Sequence, residues 1–237
     1  MRRDSTPRFY FSLRSPYSWL AHHDLVHHYP DVAAQVEWRP FWEPDPASRE
    51  LLREAGGEFP YVAMSRAKHL YILQDVRRLA RERGLEAAWP IDRDPCWEVP
   101  HLAYLAAADA GLGEEFVALV HRVRWNEGRD ICDPATIAAV ATELGLGQDR
   151  LAKASTDPEL RERGAGALLA VHRDGVFGVP FFVNGFEKFW GVDRLPAFVE
   201  SVRARTGAAP ARPDTAAASP DLTPAPGGDQ GHAGGCG

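Results

Sequence analysis

The apolar positions of this chain change period along its length, and the changes divide it into parts. Phe9-Tyr10-Phe11-Ser12-Leu13 is short and aromatic, which predicts a strand. Ser15 and Pro16 follow as a helix cap and a first helical residue, and Trp19 to His28 continues as a helical run. Ala33 to Trp42 alternates loosely and runs into Pro40, which predicts a second strand. Two strands joined by one helix make a parallel β-α-β unit with a right-handed crossover.

From about Pro46 to His172 the period is helical and no strand is predicted. Tyr61 to Arg83 carries apolar residues at Met64, Leu70, Ile72, Leu73, Val76, Leu79 and Ala80, with Gly84 as its stop. Val99 to Ala110 and Glu114 to Val123 are two further helices separated by Gly111-Leu112-Gly113. Asp133-Pro134 and Asp157-Pro158 each set a cap before a proline, so helices start there, the second reaching His172. Val179-Pro180 then opens an aromatic and β-branched strand, Asn184-Gly185 predicts a type I′ hairpin turn, and a second strand follows. Asp193 to Arg205 is a final helix with Pro196 in its first turn. Beyond it Ala, Pro, Gly, Asp and Ser dominate without apolar period, which predicts a disordered tail. The expected parts are a discontinuous α/β domain over 8–45 and 173–206, a helical insertion over 46–172, and a tail over 207–237.

Composition narrows the class. The 237 residues can bury a core, and the net charge of −6 without a basic block argues against nucleic acid as a partner. No apolar run is long enough to span a bilayer, and Met1-Arg2-Arg3 leads into polar residues, so no membrane is expected and the cytoplasm is the expected compartment. Cys96, Cys132 and Cys236 lie far apart, without the spacing of a disulfide framework or a zinc site. His23 and His27 share a helix face, but no carboxylate or cysteine obviously converges on them, so they are expected as surface histidines and no metal is expected.

The chemistry is expected at Ser15-Pro16-Tyr17-Ser18, because a helix N-terminus favours an anion and a thiolate suits such a place. Together with the distant Gly178-Val179-Pro180 hairpin, this turn resembles that of the 2-hydroxychromene-2-carboxylate isomerases and kappa-class glutathione transferases, from about Arg8 to Arg205. The resemblance implies an α/β, thioredoxin-like (DsbA-like) fold with a large all-helical insertion. It implies that Val179-Pro180 is a cis step facing the turn, and that Ser15 is the catalytic group, hydrogen-bonding the sulfur of a bound small thiol. That thiol would be glutathione or another low-molecular-weight thiol such as mycothiol. Lys68, with Tyr71, Asp75 and Arg78, resembles the family's K-x-x-Y-x-x-x-D-x-x-R stretch, whose lysine holds a glutathione carboxylate. Asp193, in Gly191-Val192-Asp193-Arg194-Leu195, matches the acid that contacts the γ-glutamyl amine. A homodimer is implied as well.

Taken alone, the same residues have plainer readings: Ser15 as a cap, Pro180 as a trans proline at a strand start, Asp193 as the cap of the last helix. Two exclusions stand on the residues themselves. Serines at both positions where disulfide oxidoreductases carry C-x-x-C cannot cycle between dithiol and disulfide, and the G-x-S-x-G of a serine hydrolase is missing around Ser15. Ala55-Gly56-Gly57-Glu58-Phe59-Pro60 departs from the family, which usually has an asparagine there as a glutathione contact. A different thiol, or a protein cysteine, then comes into question; Cys96 and Cys132 are the candidates, and the commoner reading of each is a small buried hydrophobe. Arg14, Tyr17 and Trp42 join these cysteines as candidate lining of a substrate pocket at the seam between domain and insertion. The expected function is an isomerase. It would catalyse cis-trans or ring-opening isomerisation of an unsaturated carbonyl or polyene, free or carrier-bound, by reversible thiol conjugate addition. A kappa-like glutathione transferase and a non-catalytic binding protein on the same scaffold are the alternatives.

Overall fold

The computed structural model describes residues 6–60 and 64–207. The tail expected from 207 lies outside them but for its first residue, as do Cys236 and Tyr61, the expected first residue of the longest insertion helix.

Four short strands form one sheet in the order β2-β1-β3-β4. Strand β1 (Arg8–Phe11) runs parallel to β2 (Glu37–Pro40), with Phe11 opposite Pro40. Its other edge is antiparallel to β3 (Phe181–Asn184), which pairs antiparallel with β4 (Glu187–Trp190). The connection from β1 to β2 is α1 (Pro16–His28) followed by the single turn α2 (Pro30–Ala33), so the second strand is shorter than the expected run from Ala33. Between β2 and β3 come α3 (Pro46–Glu54), α4 (Arg66–Glu82), α5 (Glu98–Asp109), α6 (Gly113–His121), α7 (Pro134–Glu143), α8 (Gln148–Ala152) and α9 (Pro158–Asp174). Helix α10 (Leu195–Thr206) closes the chain. All four strands fall outside the helical stretch, as the periodicity predicts.

Two boundaries differ for local reasons. Helix α4 starts at Arg66 because Ser65 caps it, its side chain accepting from the Lys68 N–H. The hairpin loop is Gly185-Phe186, one residue later than expected, with Asn184 paired to Glu187. Of these two only Gly185 has positive φ (+64°), whereas type I′ needs it at both, and the Asn184 amide instead donates to Ser201 at 2.7 Å.

Both sheet faces are covered, with a period of two along β1. Phe9 and Phe11 face α1, α10 and the insertion; Phe9 stacks on Phe182, and Phe182 on Phe198 of α10, each with ring centroids 4.8 Å apart. Tyr10 faces the other way, packed with Val171, Val176, Phe181 and Val183 at the end of α9.

Helix α9 approaches the core through Gly164, where a Cβ would sit 2.6 Å from Leu102 Cδ2 and 3.4 Å from Trp42. Gly164→Ala gains about 1 kcal/mol in helix propensity, but overpacking costs about 1–3 kcal/mol. A net destabilisation of about 1 kcal/mol is expected, read as a Tm lower by about 2–4 °C. Gly166→Ala, two residues on with nothing near its Cβ, should raise Tm instead.

The pairing brings the C-terminal ends of β1 and β2 and the N-terminal end of β3 to one end of the sheet. The residues that follow or precede those ends are Ser12 to Ser15, Phe41 to Glu43, and Val179-Pro180.

Candidate active site

The turn after β1 is built from three serines with different tasks. Its backbone closes through Ser15 N–H donating to Ser12 C=O at 3.0 Å. Ser18 is fully buried, and its Oγ accepts from Ser12 N–H at 3.2 Å. Ser15 caps α1, its Oγ accepting from Ser18 N–H at 3.2 Å, while its own O–H has no acceptor among the described residues. Pro16 at the first helical position carries no N–H, and the Trp19 N–H already donates to Ser15 C=O. This leaves the Tyr17 N–H and the half-buried Ser15 hydroxyl as the donors offered at the positive end of α1.

Behind the turn stands His101, fully buried in α5, which the sequence reading missed. Its Nδ1–H donates to Trp97 C=O at 2.7 Å, and its Nε2 accepts from Leu13 N–H at 3.1 Å. The ring stacks on Trp42 at 5.2 Å, so it is fixed in one tautomer between the insertion and the turn. Burial pushes its pKa down to about 3, and Arg124 pushes the same way against the Trp97 carbonyl. Such a histidine sits on an apolar helix face, and no spacing in the sequence marks it.

A second feature beyond the sequence reading is the π-helical turn Arg122–Asn126, which ends α6. It turns Val123, Arg124 and Trp125 inward in succession, each at most 2 % exposed. The Arg124 guanidinium binds Asp92 through two 2.9 Å bonds and lies over Trp97 and Trp125 at 5.2 and 4.8 Å. Arg14 covers Trp97 as well, at 5.0 Å, while its exposed end pairs with Glu43 at 3.2 Å. Next to the turn there is therefore a guanidinium that an incoming anion can reach.

Helix α4 also meets the turn. Tyr17 Oη donates to Asp75 Oδ2 at 2.7 Å, and Asp75 in turn pairs with Arg78. Burial raises the Tyr17 pKa, with Asp75 adding to the effect, so the phenol stays protonated as this donor. Lys68 precedes Asp75 by two helical turns, about 10 Å along the same face. It is half-buried at the start of α4.

At the same end of the sheet the Val179-Pro180 peptide bond is cis. Neither backbone polar group of Val179 has a partner among the described residues. Pro180 C=O accepts from Gly191 N–H at 3.0 Å, which ties the proline to the turn that carries Asp193. Asp193 lies in the 3₁₀ turn Val192–Arg194 and is exposed, paired with Arg194 at 3.2 Å. The N-cap of α10 is Arg194, so the plainer reading of Asp193 as that cap does not hold.

Trp42, Cys96 and Cys132 complete the expected pocket residues. Trp42 is 1 % exposed and its Nε1–H donates to buried Glu98 at 3.2 Å, which makes it core. Burial and then the Glu98 charge raise the Cys96 pKa, and burial with Asp130 raises that of Cys132. Both are held as thiols at neutral pH, the opposite of what a nucleophile needs.

A β-α-β start whose turn carries two serines, set at the same sheet end as a cis-proline step, defines a thioredoxin-fold protein without a redox pair at its turn. The description "DSBA-like thioredoxin domain" matches residues 8–203, and the chain belongs to that family. It is 29 % identical over 197 residues to a 2-hydroxychromene-2-carboxylate isomerase of Sphingobium xenophagum, covering 81 % of this chain and 95 % of that protein. The structure of a 2-hydroxychromene-2-carboxylate isomerase superposes with a TM-score of 0.66 at 24 % identity, covering 85 % of this chain and 95 % of the other. A probable DsbA oxidoreductase from Streptomyces coelicolor superposes with a TM-score of 0.62 at 19 % identity, over 93 % and 99 % of the two chains. The resemblance read from the S-P-Y-S turn and the hairpin is borne out in family and fold. Among the described residues no helix is long and apolar enough to cross a membrane.

Proposed function

We propose that this protein is a thiol-dependent isomerase of an unsaturated carbonyl or polyene compound, in which Ser15 and the start of α1 hold a small thiol as its anion. The observation that carries the reading is the division of labour between the two serines. Ser18 is buried and committed to closing the turn, whereas Ser15 keeps a free O–H at a helix N-terminus. The activity in the name of the Sphingobium relative supports the reaction class.

The donor set suits such a thiol. A hydroxyl, an amide and a helix dipole favour the anion of sulfur, and the unpaired backbone groups of Val179 match a peptide-like ligand such as glutathione. Lys68 and Asp193 offer the opposite charges needed for its carboxylate and its amine. When bound, the thiol supplies a nucleophile that adds to the electron-poor carbon of the double bond and leaves again, so the bond can turn in between. Ser15 donates to the sulfur and lowers its pKa. Asp75 keeps the Tyr17 phenol engaged and α1 in place beside α4. Arg14, oriented by Glu43 and by Trp97 beneath it, faces the negative charge that develops on the substrate's carbonyl oxygen.

The test is turnover of a cis-enone acid with glutathione or mycothiol far below the substrate concentration. Many product molecules per thiol, with the thiol recovered, are expected. One thiol consumed per product would make the protein a transferase, and equal rates without any thiol would remove the role assigned to Ser15.

A further inference from the structure

The second half of α1 carries side chains that the active turn does not use. One donor atom each of His23, Asp24 and His28 lies within 4.8 Å of the other two. His28 stands over Asp24 at the i,i+4 spacing, and His23 Nδ1 lies 3.4 Å from Asp24 Oδ1. The spacing of the sequence pairs His23 with His27; the fold instead supplies Asp24 as the convergent carboxylate and His28 as the second imidazole. His27 has a supporting place: its ring stacks on His23 at 4.4 Å, and its Nδ1–H donates to the His23 C=O at 2.9 Å. Asp24 and His28 also line a groove of about 320 Å³ whose lining includes Glu82, Asp193 and Arg83. Arg83 opposes a cation here: it holds both Asp24 oxygens, at 2.7–3.0 Å.

We propose that His23, Asp24 and His28 form a binding site for a late first-row divalent cation such as Zn²⁺, at the mouth of this groove. Two imidazoles and one carboxylate are the borderline nitrogen and oxygen donors that such ions take, in the number that leaves one tetrahedral position open. Around zinc, donor atoms stand roughly 3.3 Å from one another, given metal–ligand bonds of about 2.0–2.2 Å. The exposed His28 side chain is the one an ion would draw in to close the present spread. Asp24 must be shared with Arg83 or released by it, which holds the affinity well below that of a dedicated structural zinc site.

The test is calorimetric titration of Zn²⁺ into the full chain and into single variants. The wild type should bind one ion at this site. His23→Gln and His28→Gln should each weaken it at least tenfold, and His27→Gln less than threefold. Arg83→Gln should tighten it several-fold by freeing Asp24. Wild-type binding in the His23→Gln/His28→Gln double variant would overturn the proposal. So would a loss in His27→Gln as large as in His23→Gln, since the i,i+4 histidine pair would then be the site.

Discussion

Ser15→Ala is expected to lower kcat/KM for the thiol-dependent isomerisation by about 10²- to 10³-fold, the usual effect of removing one aimed donor from a developing or bound anion. The same change removes the N-cap of α1 and should cost about 1 kcal/mol of stability. The two effects separate because they depend on different halves of one hydroxyl: the oxygen accepts from Ser18 N–H, and the proton serves the ligand. Ser15→Asp or Ser15→Asn, both good caps, should therefore restore stability without restoring rate. Asp fails by placing a negative charge beside the thiolate, and Asn by moving the donor. Ser18→Ala should do the reverse, lowering Tm while leaving a larger share of the activity, since its Oγ is buried beneath Ser12 N–H. Ultraviolet thiolate absorbance of the bound thiol gives a direct reading, its apparent pKa rising in Ser15→Ala. Unchanged rate and unchanged thiol pKa in Ser15→Ala would leave the serine as a cap and nothing more.

The parts of this site that could be read from the sequence are those written by local rules. A serine followed by proline, a Val-Pro step before an aromatic strand, and Lys68 and Asp75 on one helix face are all short-range patterns, and each sits where its pattern puts it. The fold followed for the same reason, since a helical period running unbroken from Pro46 to His172 leaves few other places for a sheet. What stayed hidden depends on contacts between distant segments. His101 looks like one polar residue in an apolar helix until Leu13, 88 positions earlier, is brought against its Nε2. Trp42 reads as a candidate pocket wall because it is an aromatic at the seam between domain and insertion, and it is core because Glu98 takes its indole N–H. Arg124 needed a π-helical turn to point inward, and a window of regular period 3.6 cannot anticipate one extra residue. The one-residue error at the hairpin has the same origin: Asn184 left the loop for a tertiary hydrogen bond to Ser201.

Acidification from pH 8 to 5 is expected to remove about 4 kcal/mol of stability through His22 and His101 alone. Burial pushes His22 down to about 4, with His27 and His23 adding to it, and His101 down to about 3. In the unfolded chain both titrate near 6.5. Above that pH neither state binds the proton and the difference vanishes. Below it the unfolded chain takes up protons that the fold refuses, so stability falls as pH falls, by about 1.4 kcal/mol per unit for each group. At pH 5 this is about 2 kcal/mol each, and the loss through His22 levels off near pH 4. Buried His121, held well below its usual range by burial, acts in the same direction. Carboxylates act elsewhere: Arg203 beside Asp31 and Arg163 beside Asp109 hold those carboxyls low, so their contribution is lost only below the ordinary carboxylate range. Urea melts between pH 8 and 4.5 check this. The midpoint should be flat to about pH 6.5 and then drop, and His22→Gln should flatten the drop by one group's share. A midpoint unchanged from pH 7 to 5 would mean that these rings are solvated or already charged in the fold. Because His101 Nε2 is the acceptor that holds Leu13 N–H behind Ser15, its protonation and the loss of the active turn are one event. Activity should therefore disappear along the same acid curve as the structure, below any step set by ionisation of the bound thiol.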